Sequence, residues 1–347
     1  MVTGRAMRTC WVFDHPAHIR LLAPFLRAGQ SDDVIIATKR KEVENLLKAG
    51  DGHISRRQTH WVERPVGEGI SRLQIRRKAL MRWGSSHRFL RQCNQQGRPI
   101  ERIVSIGAPL ELKAWRSPIL RRRLSSIVER WYISDTEVNH IAHRLARNAA
   151  TDVVLPTHWR SDLDGGFSQQ IDGVRIHRLD GLHGHVHLRP SIRPSVVSDP
   201  PRVLVRRLIG GGIHDDDELI EIPNEVFDGL STTLADEDAY TGDAWALDGE
   251  LAAHDCVITQ SVTLASEAAL LGTPTLLISK AQRGFLDRLE SEGYPLFRWQ
   301  SPCVGDEWKD LQAQFLTGIH LTEMLEPEAW PNAQKQLAEF LQIKLID

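Results

Sequence analysis

Apolar residues in this chain fall into two alternating rhythms. Short apolar runs read as buried strands, and stretches with an apolar residue every three or four positions read as helices. Thr9–Phe13 is the first run, followed by Ile19, Leu22, Ala23 and Leu26 at helical spacing up to Gly29. Val34–Ala37 is the second strand, and a helix over Glu42–Leu47 is stopped by Gly50. Residues 71–97 form a long Arg-rich helical stretch, with Ile75, Leu80, Trp83, Phe89 and Leu90 as a partial apolar face. Strands follow at 100–106, 131–133 and 153–155, with helices over 119–128 and from about 134 to 147. In that last helix Asp135 or Thr136 is the expected cap, with Glu137 in the first turn.

The most legible stretch is Asp255–Ser279. Cys256-Val257-Ile258 is a strand, Thr259-Gln260-Ser261 an elbow, Thr263–Leu271 a helix closed by Gly272, and Thr275–Ile278 the next strand. Strand, helix and strand in this order make a unit of a parallel sheet, whose ligands lie at the carboxyl ends of the strands. At 347 residues two domains are expected. They are residues 7–170 and 171–327, with the boundary where polar residues break the pattern between 156 and 172. A terminal helix, 328–347, is placed as crossing back to the first domain.

The net charge of −2 predicts no partner, but its distribution is uneven. Residues 72–130 carry 15 Lys/Arg against three Glu, and residues 208–279 carry no Lys or Arg. The halves of the chain therefore differ in sign. No motif or interleaved aromatic series points to nucleic acid. The four cysteines are scattered without a CxxC, as in a protein that keeps its thiols reduced. With no signal pattern and no apolar run long enough to span a bilayer, a cytoplasmic place is expected, with a peripheral one at the inner membrane face open.

Candidate chemistry gathers at the strand ends. A helix N-terminus offers free N–H groups and a partial positive charge, so the amides after Ser261, at Val262 and Thr263, suit a phosphate. Glu267 lies one turn past Thr263 on the same face, placed either for sugar hydroxyls or for solvent. The strand 202–208 carries Arg206 and runs into Gly210, Gly211 and Gly212, which allow close backbone approach, and then His214. In the first turn, Asp14-His15-Pro16-Ala17-His18, the imidazoles His15 and His18 are a hydrogen-bonding pair or a proton-transfer group, against a capping Asp14 with two solvated rings. The dinucleotide glycine fingerprint is absent there, and no Walker loop follows the glycine triplet. His183, His185 and His187 alternate as along one strand face, yet no cysteine or carboxylate completes a metal set, and a linker with one functional histidine is preferred.

Six ordered blocks resemble the family catalogued as "domain of unknown function 354". They are His15-Pro16-Ala17-His18; Ser105-Ile106-Gly107-Ala108-Pro109; Ser134-Asp135-Thr136-Glu137; Gly181 with His183; Val203 to Arg206 with His214; and Ser261 to Pro274. This chain has Thr259-Gln260-Ser261 where the family usually has Gly-Asp-Ser, and Ser134 replaces an acid before Asp135. The resemblance implies an α/β, GT-B-like architecture: two Rossmann-like parallel-sheet domains facing a central cleft, akin to glycosyltransferases and UDP-N-acetylglucosamine 2-epimerase. It implies a nucleotide sugar as co-substrate, held by Arg206, Gly210–Gly212, Ser261, Val262, Thr263 and Glu267, with no metal or other cofactor. His18 is then the first candidate base, Glu137 the second, and His214 a further acid/base group. His15, Gly107 and Asp135 line the first domain's side, which in such enzymes carries the acceptor. The basic region 72–130 would then receive an anionic or lipid-linked acceptor or a membrane surface, against the plainer reading of a solvated helix. The expected activity is a metal-independent glycosyltransferase using a UDP-sugar. The alternatives are a UDP-sugar 2-epimerase-like isomerase and a non-catalytic binder, the last favoured by the acid lost at Gln260.

Overall fold

The computed structural model describes residues 6–63, 71–107, 109–134, 136–169, 173–189, 196–208, 219–236, 243–321 and 330–346, without the side chains of residues 72, 114–116, 120 and 321. The chain divides into two compact units, one of Met1–His187 with Asn332–Asp347 and one of Leu188–Pro331.

The first unit is built on seven strands: β1 (Thr9–Phe13), β2 (Val34–Thr38), β3 (Gln58–Val62), β4 (Arg102–Ile106), β5 (Glu129–Ile133), β6 (Asp152–Pro156) and β7 (Arg175–Leu179). All pair in parallel in the order β3-β2-β1-β4-β5-β6-β7. β1, β2, β4 and β6 are buried along their whole length, which is why they read as continuous apolar runs rather than alternating ones. Its helices are α1 (Pro16–Ala28), α2 (Lys41–Ala49), α3 (Gly52–Ser55), α4 (Arg72–Gln96), α5 (Pro118–Arg123), α6 (His140–Ala146) and α7 (His183–His187). Val12, Ile36, Ile103, Tyr132, Val153, Phe89 and Phe167 belong to one apolar cluster in this unit.

Three local expectations are corrected here. β7 extends the first sheet by pairing with β6, so the division falls between His187 and Leu188, later than the polar stretch suggested. The three histidines lie on helix α7, not on a strand face. His185 is buried and its Nδ1 accepts from the Leu182 N–H at 2.8 Å, so this ring closes a helical turn. α6 starts later than expected and is capped by Asn139, whose Oδ1 accepts from Ala142 N–H, so Glu137 precedes the helix.

The second unit holds β8 (Arg202–Arg206), β9 (Ser231–Leu234), β10 (Cys256–Thr259), β11 (Thr275–Ile278) and β12 (Leu296–Trp299). They too are all parallel, in the order β12-β11-β10-β8-β9. Its helices are α8 (Leu247–Ala253), α9 (Val262–Leu270), α10 (Gly284–Ser291) and α11 (Asp306–Leu321). Val203, Val205, Ile258, Leu276 and Ile278 pack with Trp308 and Phe315 of α11. The last helix, α12 (Ala333–Leu341), packs on α7 and β7 of the first unit. There Asp180 N–H donates to Gln336 Oε1 at 2.7 Å.

Strand order locates one special point in each sheet. In open parallel sheets a ligand crevice forms where the winding direction reverses, at the carboxyl ends of the strands. That reversal lies between β1 and β4 in the first sheet, and between β8 and β10 in the second.

Candidate functional site

At the second reversal, β10 ends in an elbow that its own side chains lock. Thr259 Oγ1 donates to the Arg206 carbonyl at 3.0 Å and accepts from Ser261 N–H at 2.9 Å. Gln260 N–H donates to the same carbonyl at 3.1 Å. Ser261, at φ −81 and ψ 114, caps α9 through its hydroxyl, which accepts from Leu264 N–H, while its carbonyl takes the Ala265 amide. The first amides of a helix have no intrahelical acceptor. Among the described residues nothing accepts from Val262 or Thr263 N–H, and Thr263 is exposed. The helix is apolar and Ala-rich, so it is buried from Leu264 onward. Gly272 at φ +78, a region costly for other residues, turns the chain back into β11.

Gln260 has a role that its sequence position did not reveal. Its side chain is buried; Oε1 accepts from Leu208 N–H at 2.8 Å and Nε2 donates to the Ile220 carbonyl at 2.6 Å. An aspartate or glutamate here has no proton for Ile220, so the amide is what the position requires. Leu208 and Ile220 flank residues 209–218, and Leu219 bridges Ser279 just beyond β11. Both flanks of that stretch are therefore tied to the carboxyl edge of the sheet. Gly210, Gly211, Gly212 and His214 themselves lie outside the described residues.

Arg206 ends β8 beside this elbow, half-buried, with Nη1 3.5 Å from the Ala235 carbonyl. Its neighbour Arg207 is committed to Asp236, with Nη2 to Oδ2 at 2.6 Å. That bond holds the Asp236 carboxyl below its ordinary range and the guanidinium above its own. Lys280, exposed just past β11, is the first cation after the long stretch without any. Sequence reading missed it; its position directly after a parallel strand is the signal that points to it. Glu267 is 2% exposed, which removes the solvent-facing alternative.

The first reversal is of a different kind. His15, not Asp14, caps α1, its Nδ1 accepting from Ala17 N–H at 3.2 Å, with Pro16 as the first helical residue. His15 and His18 meet edge to face at 5.8 Å. Asp14 turns to Arg82 of α4, with Oδ1 to Nη2 at 2.8 Å, and accepts from Thr38 Oγ1 at 2.6 Å. Arg82 also meets Glu111, Nε to Oε1 at 2.8 Å and Nη2 to Oε2 at 3.0 Å, and Ser86 adds a hydroxyl to that carboxylate. Burial alone would raise the Asp14 carboxyl, but Arg82, Thr38 and the nearby His18 outweigh it and leave its pKa lowered. Burial also opposes the charge on Arg82, yet the two carboxylates raise its pKa well above the ordinary value.

Gly107 follows β4 at φ +65. Its carbonyl accepts from Asn139 Nδ2 at 2.9 Å, so one residue caps α6 and holds this turn. Glu137 is buried, its Oε1 accepting from Arg160 N–H at 3.2 Å, which ties it to the loop after β6. Asp135 lies outside the described residues. No group of three or more His, Cys, Asp or Glu able to hold a metal occurs among the described residues.

The arrangement of two all-parallel sheets with flanking helices is the two-domain α/β fold of the GT-B type, and solved structures agree. The UDP-GlcNAc 2-epimerase of Methanocaldococcus jannaschii superposes with a TM-score of 0.58 at 11% identity, covering 97% of this chain and 99% of that one. The UDP-GlcNAc 2-epimerase of Neisseria meningitidis, solved with UDP-GlcNAc, gives 0.55 at 12% identity over 97% and 100%. UGT89C1 of Arabidopsis thaliana, solved with UDP-L-rhamnose, gives 0.56 at 11% identity over 97% and 99%. No family model matches the chain, and no curated protein matches it either. At such identities the likeness establishes the fold.

Proposed function

We propose that this chain binds a UDP-sugar and acts as a GT-B-type glycosyltransferase. The observation that carries the proposal is the start of α9, with the Val262 and Thr263 amides at the strand-order reversal of the second sheet. It is supported by the UDP-sugars held in structures of the same fold. In this reading the two amides and the Ser261 and Thr263 hydroxyls hold the diphosphate. Arg206 neutralises charge on the leaving diphosphate, for which a guanidinium fork is suited. Gly210–Gly212 bring backbone close to the ligand, and Glu267 takes ribose hydroxyls. Helix amides and Arg206 stabilise the leaving group without a metal ion, so a chelator should leave turnover unchanged. His18 is the general base, with Glu137 second.

A second reading is supported by the 2-epimerases among solved structures of the same fold. His18, Glu137 and His214 would then act as acid and base around the sugar. Incubation with UDP-GlcNAc, followed by NMR of the sugar, separates the readings. Turnover only when an acceptor is added supports the transferase. Inversion at C2 without acceptor supports the isomerase. A uridine-specific rise in melting temperature with no turnover leaves a binding protein. No shift with any nucleotide overturns the proposal.

A further inference from the structure

Helix α4 carries seven Lys/Arg and no Asp or Glu. Its inward face is fixed by Arg82, Ser86, Phe89, Leu90 and Cys93, all buried. The opposite face departs from what the sequence suggested. Leu80, expected among the packed residues, is 58% exposed, and Leu73 and Met81 are 77% and 65% exposed. Positions 73, 80 and 81 fall on one side of a helix by its period of about 3.6 residues, as does position 84. A side chain added at Gly84 would meet no atom of the described residues within 4 Å, so among them this side of the helix is open there. Arg76, Arg77, Lys78, Arg88 and Arg91 are exposed; by the same period Arg77, Arg88 and Arg91 share this side with the apolar residues, and Arg76 and Lys78 flank it. The 3-10 stretch Pro109–Arg116 packs against both α4 and α5, and α5 repeats the pattern with Ile119 67% exposed beside Arg121–Arg123.

We infer that the open face of α4 docks on an anionic lipid surface. Large apolar side chains standing singly need no explanation, but three of them exposed on one side of a helix that carries cations and no acid do. The cations on and beside this side draw the helix to negatively charged headgroups, and Leu73, Leu80 and Met81 then enter the acyl boundary between them. A nucleic acid would use the charge and leave the apolar stripe in water; a second copy of this chain would set two cationic faces against each other. Among the described residues no helix is long and apolar enough to cross a membrane, so contact is from the side.

The test is sedimentation of the full chain with sucrose-loaded vesicles of phosphatidylcholine, with or without a third of phosphatidylglycerol, at physiological salt. The partition coefficient should be at least about tenfold higher on the anionic vesicles. Leu80→Ser/Met81→Ser, at exposed positions that leave the packed face intact, should lower it about tenfold with the thermal melt unchanged. Gly84→Leu, which lengthens the stripe into open space, should raise it. Equal binding to both vesicle types overturns the inference. So does full binding by the double-serine variant with competition from single-stranded RNA, which marks a surface for polyanions generally. A dimer in sedimentation equilibrium that Leu80→Ser/Met81→Ser dissolves also overturns it, since the face then meets a second copy.

Discussion

The two sheets end in the same kind of place and treat it in opposite ways. At the first reversal the chain fills the edge with its own charges: Arg82 lies between Asp14 and Glu111, all three satisfied internally. The helix there begins with Pro16, which has no N–H, and His15 takes the next amide. At the second reversal the elbow itself is neutral. Thr259, Gln260 and Ser261 bond only to backbone, and α9 begins with Val262 and Thr263, which do carry amides. An edge that already balances its charge has little to offer an external anion. An edge whose donors meet no acceptor among the described residues, beside an arginine, does. The difference is what supports the proposed diphosphate seat at the second sheet, and it gives the core of the first edge a scaffold role.

The largest effect should come from breaking the closed edge. Arg82→Met leaves the buried Glu111 and the half-buried Asp14 without their partner, which should cost about 3–5 kcal/mol in urea unfolding. Adding Asp14→Asn and Glu111→Gln to that variant should restore much of the loss, because replacing the whole buried network is cheaper than breaking it. If Arg82→Met alone unfolds within error of wild type, the network is not what holds α4 to the sheet.

Gln260→Glu asks the corresponding question of the open edge. The new side chain keeps an acceptor for Leu208 N–H but sets an oxygen against the Ile220 carbonyl. A loss of about 1–3 kcal/mol in stability is expected. UDP affinity, read by calorimetric titration, should fall further than stability explains, since both flanks of residues 209–218 depend on this amide. If the glutamate variant binds UDP more tightly, Gln260 stands in for a ligand-binding acid and its bonding pattern is incidental.

How far these edges were legible from sequence differs by the kind of interaction. The elbow at 259–261 and the helix after it are local, and strand, cap and closing glycine are all visible in neighbouring residues. The Asp14–Arg82 bond joins residues 68 apart, and nothing around Asp14 names its partner, so a cap was the natural reading. Leu80 was assigned to a packed face because periodicity shows that a helix is amphipathic but not which of two apolar stripes the sheet covers. Gln260 read as a lost acid because comparison of motifs shows a substitution and not the carbonyl that an amide can reach. β7 was placed in the second domain because the polar stretch before it resembles a linker, while strand pairing is settled by partners far along the chain.

Val262→Pro would make the second helix start resemble the first. Ser261 already has the extended backbone that a residue before proline adopts, and proline is favoured at the first helical position. The variant should therefore melt within about 1 kcal/mol of wild type. It lacks one amide at the proposed phosphate seat, and UDP should bind about tenfold more weakly, about 1.4 kcal/mol. Pro16→Ala, which adds an amide at the first edge, should leave UDP affinity unchanged. Unaltered binding in Val262→Pro would move the diphosphate away from the start of α9.

Acid should separate the two edges with the smallest effect. The Asp14 carboxyl has a lowered pKa in the folded chain, so the stability it contributes is complete above its ordinary value of 3.8 and is lost as pH falls through the lower folded-state value. The stability gap between wild type and Asp14→Asn should therefore be constant from neutral pH down to about 4 and close only below that. The three elbow residues of the second edge do not titrate there, so Gln260→Met should keep a constant gap over the same range. A gap for Asp14→Asn that closes near neutral pH would mean that Arg82 is not what holds the Asp14 carboxyl low.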